Sequence, residues 1–276
     1  MKAPVAALIY DFDKTLCTKD MQEYGFIPSL GMKAGEFWRE VNDLTDREQM
    51  DNILAYMYLM VEKSRERNLP VTRKTFENLG AGVEFFPGVA SWFERVSRFG
   101  ADRGVEIQHY IVSSGIREII EGTPIAAHFK KIYACEFMYG ADGAIRWPKI
   151  AVNYTAKTQF LFRINKGVLD VDSRSADRLN RFTPENERPI PFANMIYIGD
   201  GLTDVPCMKL VKSHGGQSIA VYDPAQGNSL ARELRTFNRV NFIAPADYGA
   251  GEPLERVVQA VIEKIRAASA MQALEQ

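Results

Sequence analysis

The sequence predicts an α/β protein with a mostly parallel sheet, and three observations lead to that prediction. The first is a continuous apolar run at residues 5–10, too short for a helix and without the alternation of a half-exposed strand. Such runs are typical of central parallel strands covered on both faces. The second is the alternation of short strands and helices from residue 85 onward. The third is a stretch, residues 17–84, with helical patterns and no convincing buried strand. Together they predict a three-layer α/β sandwich with a helical insert after its first strand.

The helical insert is predicted from its hydrophobic periodicity. In residues 47–67, apolar side chains recur at three- and four-residue spacing and describe one amphipathic face. Shorter helices are predicted over residues 35–44 and 72–79, with Thr72 as an N-cap and Gly80 at the end. We interpret the methionine and aromatic side chains of this insert as helix-bundle core rather than as a stripe that faces a substrate.

From residue 86 onward, strands and helices are predicted in alternation. A Gly-Ala-Asp-Gly turn joins two of the strands into a hairpin, and the polar residues 168–192 are predicted to form a long loop with at most one short helix. Strands are predicted over residues 105–112, 131–138, 144–152, 194–198, 218–221 and 240–243. Helices are predicted over residues 89–99, 156–164 and 229–236, and from about residues 117 and 252.

The composition shows no bias toward charged partners. The 276 residues include 34 Lys and Arg against 35 Asp and Glu, which gives a formal net charge of −1. This balance does not support binding to nucleic acid or to an anionic membrane. We expect no membrane partner, because no run approaches the ~18 consecutive apolar residues of a membrane helix. The N-terminus also lacks the features of a signal peptide.

The cysteine pattern and two missing motifs narrow the function classes further. Cys17, Cys135 and Cys207 are odd in number, lie far apart and form no CxxC pair. We therefore predict a reducing, cytoplasmic location rather than a disulfide framework. No GxGxxG follows the first strand and no GxxxxGK[ST] loop is present. Dinucleotide-binding enzymes and P-loop NTPases are therefore unsupported.

Two carboxylates follow the first predicted strand directly. Asp11 and Asp13 lie two residues apart, so a strand-like backbone points both side chains the same way. Crowded carboxylates repel each other unless a proton or a cation intervenes. Mg²⁺, which prefers oxygen ligands, suits such a site. The alternative is an ordinary Asp-rich turn after a strand.

A second pair of acids, Asp200 and Asp204, follows a later strand in the sequence Gly-Asp-Gly-Leu-Thr-Asp. In open parallel sheets, ligands bind outside the carboxyl ends of the strands. We therefore expect these acids at the same edge of the sheet as the first pair.

A pair of hydroxyl groups forms a candidate anion site. Ser113, Ser114 and Gly115 stand between a predicted strand and a predicted helix N-terminus, which favours anion binding there. The alternative is a plain Ser N-cap. Another predicted helix opens with Lys157.

The order of these four motifs resembles that of the haloacid dehalogenase (HAD) superfamily of aspartate-nucleophile phosphohydrolases. The motifs are DFDKT at 11–15, SSG at 113–115, the lysine at 157 and GDGLTD at 199–204. The resemblance spans most of the chain, and the entry Phe-Pro-Gly-Val with the predicted hairpin is similar to the phosphoserine phosphatase-like branch. It implies a Rossmann-like core, residues 1–16 and 85–276, and a helical cap domain, residues 17–84. The loop at 168–192 departs from compact members of that branch.

The resemblance also implies roles for individual residues. Asp11 is the expected nucleophile, forming an aspartyl-phosphate, and Asp13 the expected general acid and base. Mg²⁺ is the expected cofactor, held by Asp11, Asp200 and the backbone carbonyl of Asp13, with Asp204 orienting a metal-bound water or Lys157. The phosphoryl oxygens are expected to be held by Lys157 and Ser113, with Ser114 as a substitute or helper. Lys149 and Lys166 are competitors of Lys157, which is favoured because a helix start suits a phosphate site, whereas Lys166 near a helix end is explained by a favourable interaction with that end.

The resemblance leaves several activities open. The first expectation is a Mg²⁺-dependent phosphomonoesterase that acts on a small phosphorylated metabolite under the cap. A carbon–halogen hydrolase is disfavoured, because it has no leaving oxygen for Asp13 to protonate. A phosphotransferase or mutase uses the same residues and remains an alternative. A non-catalytic phosphoester-binding protein is the alternative of another class.

The substrate and the oligomeric state are not readable from the sequence. Candidate substrate contacts in the cap are Glu23, Tyr24, Arg39 and Arg47. Nothing in the sequence places any of them at the site.

Overall fold

A single sheet of seven strands is formed within residues 3–274, the part of the chain that the computed structural model describes. The strand order is β4-β3-β2-β1-β5-β6-β7, and all neighbours are parallel except the hairpin of β3 and β4. The strands are β1 (Val5–Tyr10), β2 (Glu106–Ile116), β3 (Phe129–Tyr139), β4 (Ile145–Ile150), β5 (Met195–Gly199), β6 (Gln217–Tyr222) and β7 (Phe242–Pro245).

Helices cover the sheet and form the insert after β1. Helix α5 packs against β2 and α11, while α7 and α9 pack against each other and against β2 and β5 respectively. The predicted α/β fold with a mostly parallel sheet is confirmed. The helices are α1 (Phe26–Ser29), α2 (Ala34–Glu48), α3 (Asn52–Glu66), α4 (Arg73–Leu79), α5 (Val89–Ala101), α6 (Arg117–Glu121), α7 (Lys157–Lys166), α8 (Ser173–Asn180), α9 (Val205–Ser213), α10 (Ser229–Thr236) and α11 (Pro253–Leu274).

Strand β1 is central because its side chains are apolar on both faces. Ala6 through Tyr10 are fully buried, as expected for a parallel strand between two layers. The chain leaves β1 toward β2 on one side and returns to β5 on the other. This reversal opens a crevice at the carboxyl end of β1, where ligands bind in sheets of this type.

The insert contains α1–α4, of which α1 has no predicted counterpart and α2 extends to Glu48 rather than ending at residue 44. The predicted helix 47–67 begins only at Asn52, because Gln49 takes a left-handed conformation with φ 51°. Asp51 then caps α3 by accepting hydrogen bonds from Ile53 N and Leu54 N, both at 3.0 Å. Thr72 caps α4 as predicted, in a reciprocal arrangement with Thr75.

The predicted division into a core, 1–16 and 85–276, and a cap, 17–84, stays a prediction. The ends of that core, residues 1–2 and 275–276, lie outside the described residues.

Three further elements depart from the prediction. Strand β2 continues to Ile116 rather than ending at residue 112, and β7 lies two residues later than predicted. Helix α9 was not predicted, although Pro206 in its first turn is a helix-start signal. Among the described helices, none combines the length and apolar character needed to cross a membrane.

Candidate active site

Asp11 stands at the carboxyl end of β1, inside the crevice. Its backbone N–H donates to Ile198 O of β5 at 2.9 Å, which holds the two strand ends together. Its side chain is almost fully buried, and Oδ1 accepts from Phe12 N at 2.8 Å. The sheet therefore fixes the position of this carboxylate.

Two more carboxylates reach Asp11 from the loop after β5. Asp11, Asp200 and Asp204 each offer an oxygen within 4.8 Å of the other two, and we call these three residues the carboxylate cluster. Close approach requires Gly199, because a Cβ there would overlap Asp204 Oδ2. The two strand-end motifs are thus brought to one point.

Lys157, the first residue of α7, supplies a fully buried ammonium group to the cluster. Its Nζ lies 2.7 Å from Asp204 Oδ1 and 3.2 Å from Asp11 Oδ1. Burial alone would lower the pKa of Lys157, but the Asp11 and Asp204 carboxylates outweigh it and raise that pKa. The lysine is therefore charged at neutral pH.

The competing lysines are engaged elsewhere. Lys149 pairs with Glu136 on the hairpin at 2.7 Å. Lys166 donates to two backbone carbonyls, those of Leu179 and Arg181. Lys157 is thus the one of the three that contacts the cluster.

Negative charge is in excess at the cluster. Burial and the charge of Asp204 outweigh the opposing effect of Lys157 and together raise the pKa of Asp11 to about 6. Burial, then Asp204 and Asp11, raise the pKa of Asp200 to about 8. One lysine does not neutralise three carboxylates, of which Asp11 and Asp204 are buried and Asp200 is partly exposed, so the site favours an added proton or cation.

Unlike Asp11 and Asp200, Asp204 accepts hydrogen bonds at both of its carboxylate oxygens. Besides Lys157, its Oδ1 accepts from Tyr197 OH at 2.7 Å, and Oδ2 accepts from Gly201 N at 3.3 Å. Asp200 accepts only from Thr15 Oγ1, at 3.3 Å, among the described residues. Tyr197 was missed from the sequence, because it occupies an apolar-looking position in β5.

Asp13 lies beside the cluster, at the edge of a cavity. Its Oδ1 accepts from Met21 N at 2.8 Å. Burial raises the pKa of Asp13 well above its ordinary value, and the charges of Asp20 and Asp11 raise it further. Gly115 faces it closely, since a Cβ there would lie 2.9 Å from Asp13 Oδ2.

The two serines lie within β2 rather than between a strand and a helix. The predicted helix start near residue 117 is confirmed by α6, but the predicted strand end before Ser113 is wrong, because β2 continues until Ile116 pairs with Cys135 of β3 after an irregular register. Ser113 is fully buried, and its Oγ accepts from Gly115 N at 3.0 Å. Ser114 lines the cavity, and its buried Oγ has no partner among the described residues.

The cavity, of about 510 Å³, lies between the carboxyl end of β1 and the helical insert. None of Glu23, Tyr24, Arg39 and Arg47, the candidates from the sequence, lines it. Side chains of both regions do: Asp11, Asp13, Lys14, Asp20, Gln22, Trp38, Asn52, Ile53, Tyr56, Ser114, Tyr154, Asp200, Leu202, Thr203 and Leu230, with Gly201.

Comparison with known proteins decides the family. The sequence model of the haloacid dehalogenase-like hydrolases matches residues 8–209, which contain all four motifs. The chain belongs to the haloacid dehalogenase-like hydrolase family. The resemblance drawn from the motifs is confirmed.

Relatives of this HAD hydrolase extend over its whole fold. An uncharacterised protein of Borreliella burgdorferi is 32% identical over 277 aligned positions, which cover 91% of this chain and 94% of the relative. A solved phosphoserine phosphatase with bound substrate is 12% identical at a TM-score of 0.56, covering 92% and 97% of the two chains. A phospho-aspartyl intermediate analogue of phosphoserine phosphatase is 13% identical at a TM-score of 0.52, covering 93% and 99%. At these identities, the solved structures show a shared fold.

The cluster of this HAD hydrolase fits a hard divalent cation. All three side chains supply carboxylate oxygens, the donors that Mg²⁺ prefers. Asp11 and Asp200 have oxygens free for it, whereas both oxygens of Asp204 accept hydrogen bonds from described residues. By their chemistry Asp11 and Asp200 therefore fit the ion, whereas Asp204 is hydrogen-bonded to Lys157.

Proposed function

We propose that this HAD hydrolase is a Mg²⁺-dependent phosphomonoesterase that acts on a small phosphorylated metabolite through an aspartyl-phosphate. The observation that carries the proposal is the carboxylate cluster with its buried Lys157, at the crevice of the sheet and open to a cavity of about 510 Å³. The volume suits a small ester, and the insert, as a cap of residues 17–84, provides its far wall.

Asp11 is the proposed nucleophile. Its Oδ1 is held by Phe12 N and Lys157, and among the described residues none donates a hydrogen bond to Oδ2. In the first step, a carboxylate oxygen of Asp11 attacks phosphorus and the bond from phosphorus to the leaving oxygen breaks. The covalent intermediate divides one difficult displacement into two easier ones.

Asp13 is the proposed general acid and base. It lines the same cavity as Asp11, on the side of the insert. It gives its proton to the leaving oxygen in the first step. In the second step it takes a proton from water, whose oxygen attacks phosphorus and releases phosphate from Asp11.

The remaining residues hold and neutralise the phosphoryl group. Lys157 is the proposed ligand of one phosphoryl oxygen, a role supported by the 3.2 Å distance from its Nζ to Asp11 Oδ1. Ser113 or Ser114 supplies a hydroxyl, and Ser114 has the buried Oγ that lacks a partner among the described residues. When bound, Mg²⁺ offsets the repulsion between the cluster and the phosphate. The proposed location of the protein is the cytoplasm.

The test is phosphate release from a panel of phosphomonoesters and p-nitrophenyl phosphate, with Mg²⁺ or with EDTA. The proposal predicts release that needs Mg²⁺ and is lost in Asp11→Asn. Glu136→Gln, which changes a buried carboxylate on the hairpin, serves as the matched control and keeps its activity. Added acceptor alcohols that gain the phosphoryl group would instead favour a phosphotransferase. Metal-bound, folded protein that releases no phosphate and transfers none would refute the proposal.

A further inference from the structure

The cavity wall opposite the carboxylate cluster is poor in positive charge. Among the described residues that line the cavity, Lys14 is the one cation, and its ammonium pairs with Asp20 at 2.6 Å. Arg39 and Arg47 of α2 are exposed and lie outside the lining. A carboxylate on a bound substrate would therefore meet acids and a lysine that already has a partner.

Gln22 offers this wall a polar group that still needs a partner. Its side chain belongs to a residue only 2% exposed, and Oε1 is buried with no hydrogen-bond partner among the described residues. Leaving such an acceptor unpaired is costly, so native proteins satisfy it with protein, water or ligand. Gln22 lines the cavity, so a hydrogen-bond donor on the ligand suits it.

Besides Gln22, three side chains of the insert on this wall carry hydrogen-bond donors, and all three donate within the protein. Trp38 Nε1 donates to Glu23 Oε1 at 2.8 Å, and Tyr56 OH donates to Ser114 O at 2.6 Å. Their rings, whose centroids are 6.0 Å apart, are what they offer a ligand. Ile53 adds an aliphatic side chain beside them. Asn52 Nδ2 donates to Asn42 Oδ1 and to Thr45 Oγ1, both at 3.3 Å. The wall thus presents a largely apolar surface, on which Gln22 Oε1 is the buried acceptor without a partner among the described residues.

We propose that the leaving alcohol of the substrate carries no carboxylate and donates a hydrogen bond, from a hydroxyl or an ammonium group, to Gln22. Its carbon skeleton lies against the rings of Trp38 and Tyr56. A carboxylate would lose its water without gaining a free cation, beside Asp13 and Asp20. This inference rests on the phosphomonoesterase activity proposed above and names the class of ester that it takes.

Two pairs of esters that differ at the carboxylate test the inference. The pairs are phosphoethanolamine with O-phosphoserine, and glycerol 3-phosphate with 3-phosphoglycerate. We expect kcat/KM to be at least about tenfold higher for the member without a carboxylate in both pairs, because the site leaves that group unpaired. An equal or reversed ratio in either pair overturns the inference.

Substitutions at Gln22 test the wall directly. Gln22→Lys adds an ammonium group at the same point, and it is expected to shift both ratios about tenfold toward the carboxylate esters. Gln22→Met is the uncharged control of similar size and is expected to leave both ratios within about threefold. It is expected to abolish a preference for glycerol 3-phosphate over propyl phosphate. Folded Gln22→Lys protein with unchanged ratios contradicts the inference. If the variant does not fold, the wild-type ratios decide.

Failure of this inference is distinguishable from failure of the proposed activity. Release from p-nitrophenyl phosphate that depends on Mg²⁺ and Asp11, with a preference for carboxylate esters, overturns the inference alone. No release from any ester overturns the proposed activity as well.

Discussion

The carboxylate of Glu136 on the hairpin and the carboxylate cluster at the end of β1 lie in opposite electrostatic environments. On the hairpin, Glu136 pairs with Arg117 at 2.9 Å and with Lys149 at 2.7 Å. Burial raises its pKa, but the two cations outweigh burial and the pKa of Glu136 is lowered. In the carboxylate cluster three acids share Lys157, and the pKa values of Asp11 and Asp200 are raised.

The difference separates a structural ion pair from a site prepared for a ligand. Glu136 is paired with two cationic side chains, so the protein itself neutralises its charge. In the cluster, one lysine does not balance the negative charge. Repulsion between the carboxylates therefore opposes folding of the protein, and a bound cation or proton relieves it. Such an imbalance at the crevice of an α/β sheet is a better indicator of function than burial alone.

The largest expected effect is on activity, and it distinguishes the carboxylate cluster from Glu136. Asp11→Asn removes the nucleophile, and we expect phosphate release to fall roughly a thousandfold or more. Glu136→Gln is expected to stay within about threefold of wild type, because Glu136 contacts no part of the cluster. Steady-state phosphate release with Mg²⁺ measures both. Comparable losses in the two variants would erase the distinction.

Removal of the buried cation tests how the cluster is held together. Lys157→Met leaves Asp11 and Asp204 buried without it, and we expect a loss of about 3–5 kcal/mol in the free energy of unfolding. Urea denaturation in EDTA measures that loss. The double variant Lys157→Met with Asp204→Asn is expected to recover part of it. A single variant as stable as wild type would show that the lysine does not balance the cluster.

A network of polar side chains that includes Tyr10, the residue before Asp11, is neutral. Trp92 Nε1 donates to Tyr10 OH at 2.9 Å, Tyr10 OH lies 3.0 Å from His109 Nδ1, and Ser97 Oγ lies 3.0 Å from His109 Nε2. This order suits a neutral imidazole that accepts from Tyr10 and donates to Ser97. Burial lowers the pKa of His109 to about 3.

This network predicts a loss of stability in acid. The unfolded chain binds a proton at His109 near pH 6.5, whereas the folded chain does so only near pH 3. Stability is therefore complete above pH 6.5 and falls as the pH is lowered. We expect His109 to contribute a loss of about 2 kcal/mol between pH 7 and pH 5. Urea denaturation at the two pH values should show a smaller loss for His109→Gln, and an equal loss would contradict a neutral His109.

The smallest expected effects are changes in stability, and they have opposite signs for the carboxylate cluster and for Glu136. Without metal, Asp200→Asn relieves repulsion and should stabilise the fold by about 1 kcal/mol. Glu136→Gln removes a partner of Arg117 and Lys149 and should destabilise it by about 1 kcal/mol. Thermal denaturation in EDTA measures both, and Mg²⁺ should raise the Tm of wild type more than that of Asp200→Asn. Changes of the same sign would contradict the comparison.

Much of the fold and the position of the site follow from local sequence. The apolar run before Asp11 and the second strand before Asp200 place acids at strand ends, and a parallel sheet brings such ends together. The helix start at Lys157 favours this lysine over Lys149 and Lys166, and the structure brings it to the cluster. The functional roles of these residues stay predictions.

What the sequence did not reveal depends on contacts between distant segments. Ser113 and Ser114 lie inside β2 because of its irregular pairing with β3, which no local pattern encodes. Tyr197 reads as core, yet its hydroxyl reaches Asp204. Gln22 lies in a short segment before α1, and its place in the cavity depends on how the insert packs over β1.

Trapping the intermediate tests the central claim most directly. The Asp13→Asn variant, expected to slow breakdown of the aspartyl-phosphate, is mixed with substrate and Mg²⁺, quenched and reduced with borohydride, which converts an acyl phosphate to an alcohol. Mass spectrometry of the peptides should then find homoserine at residue 11, and none when substrate or Mg²⁺ is omitted. Substrate-dependent modification at another residue, or an unmodified Asp11 in protein that still turns over, would contradict the assignment of Asp11 as the nucleophile.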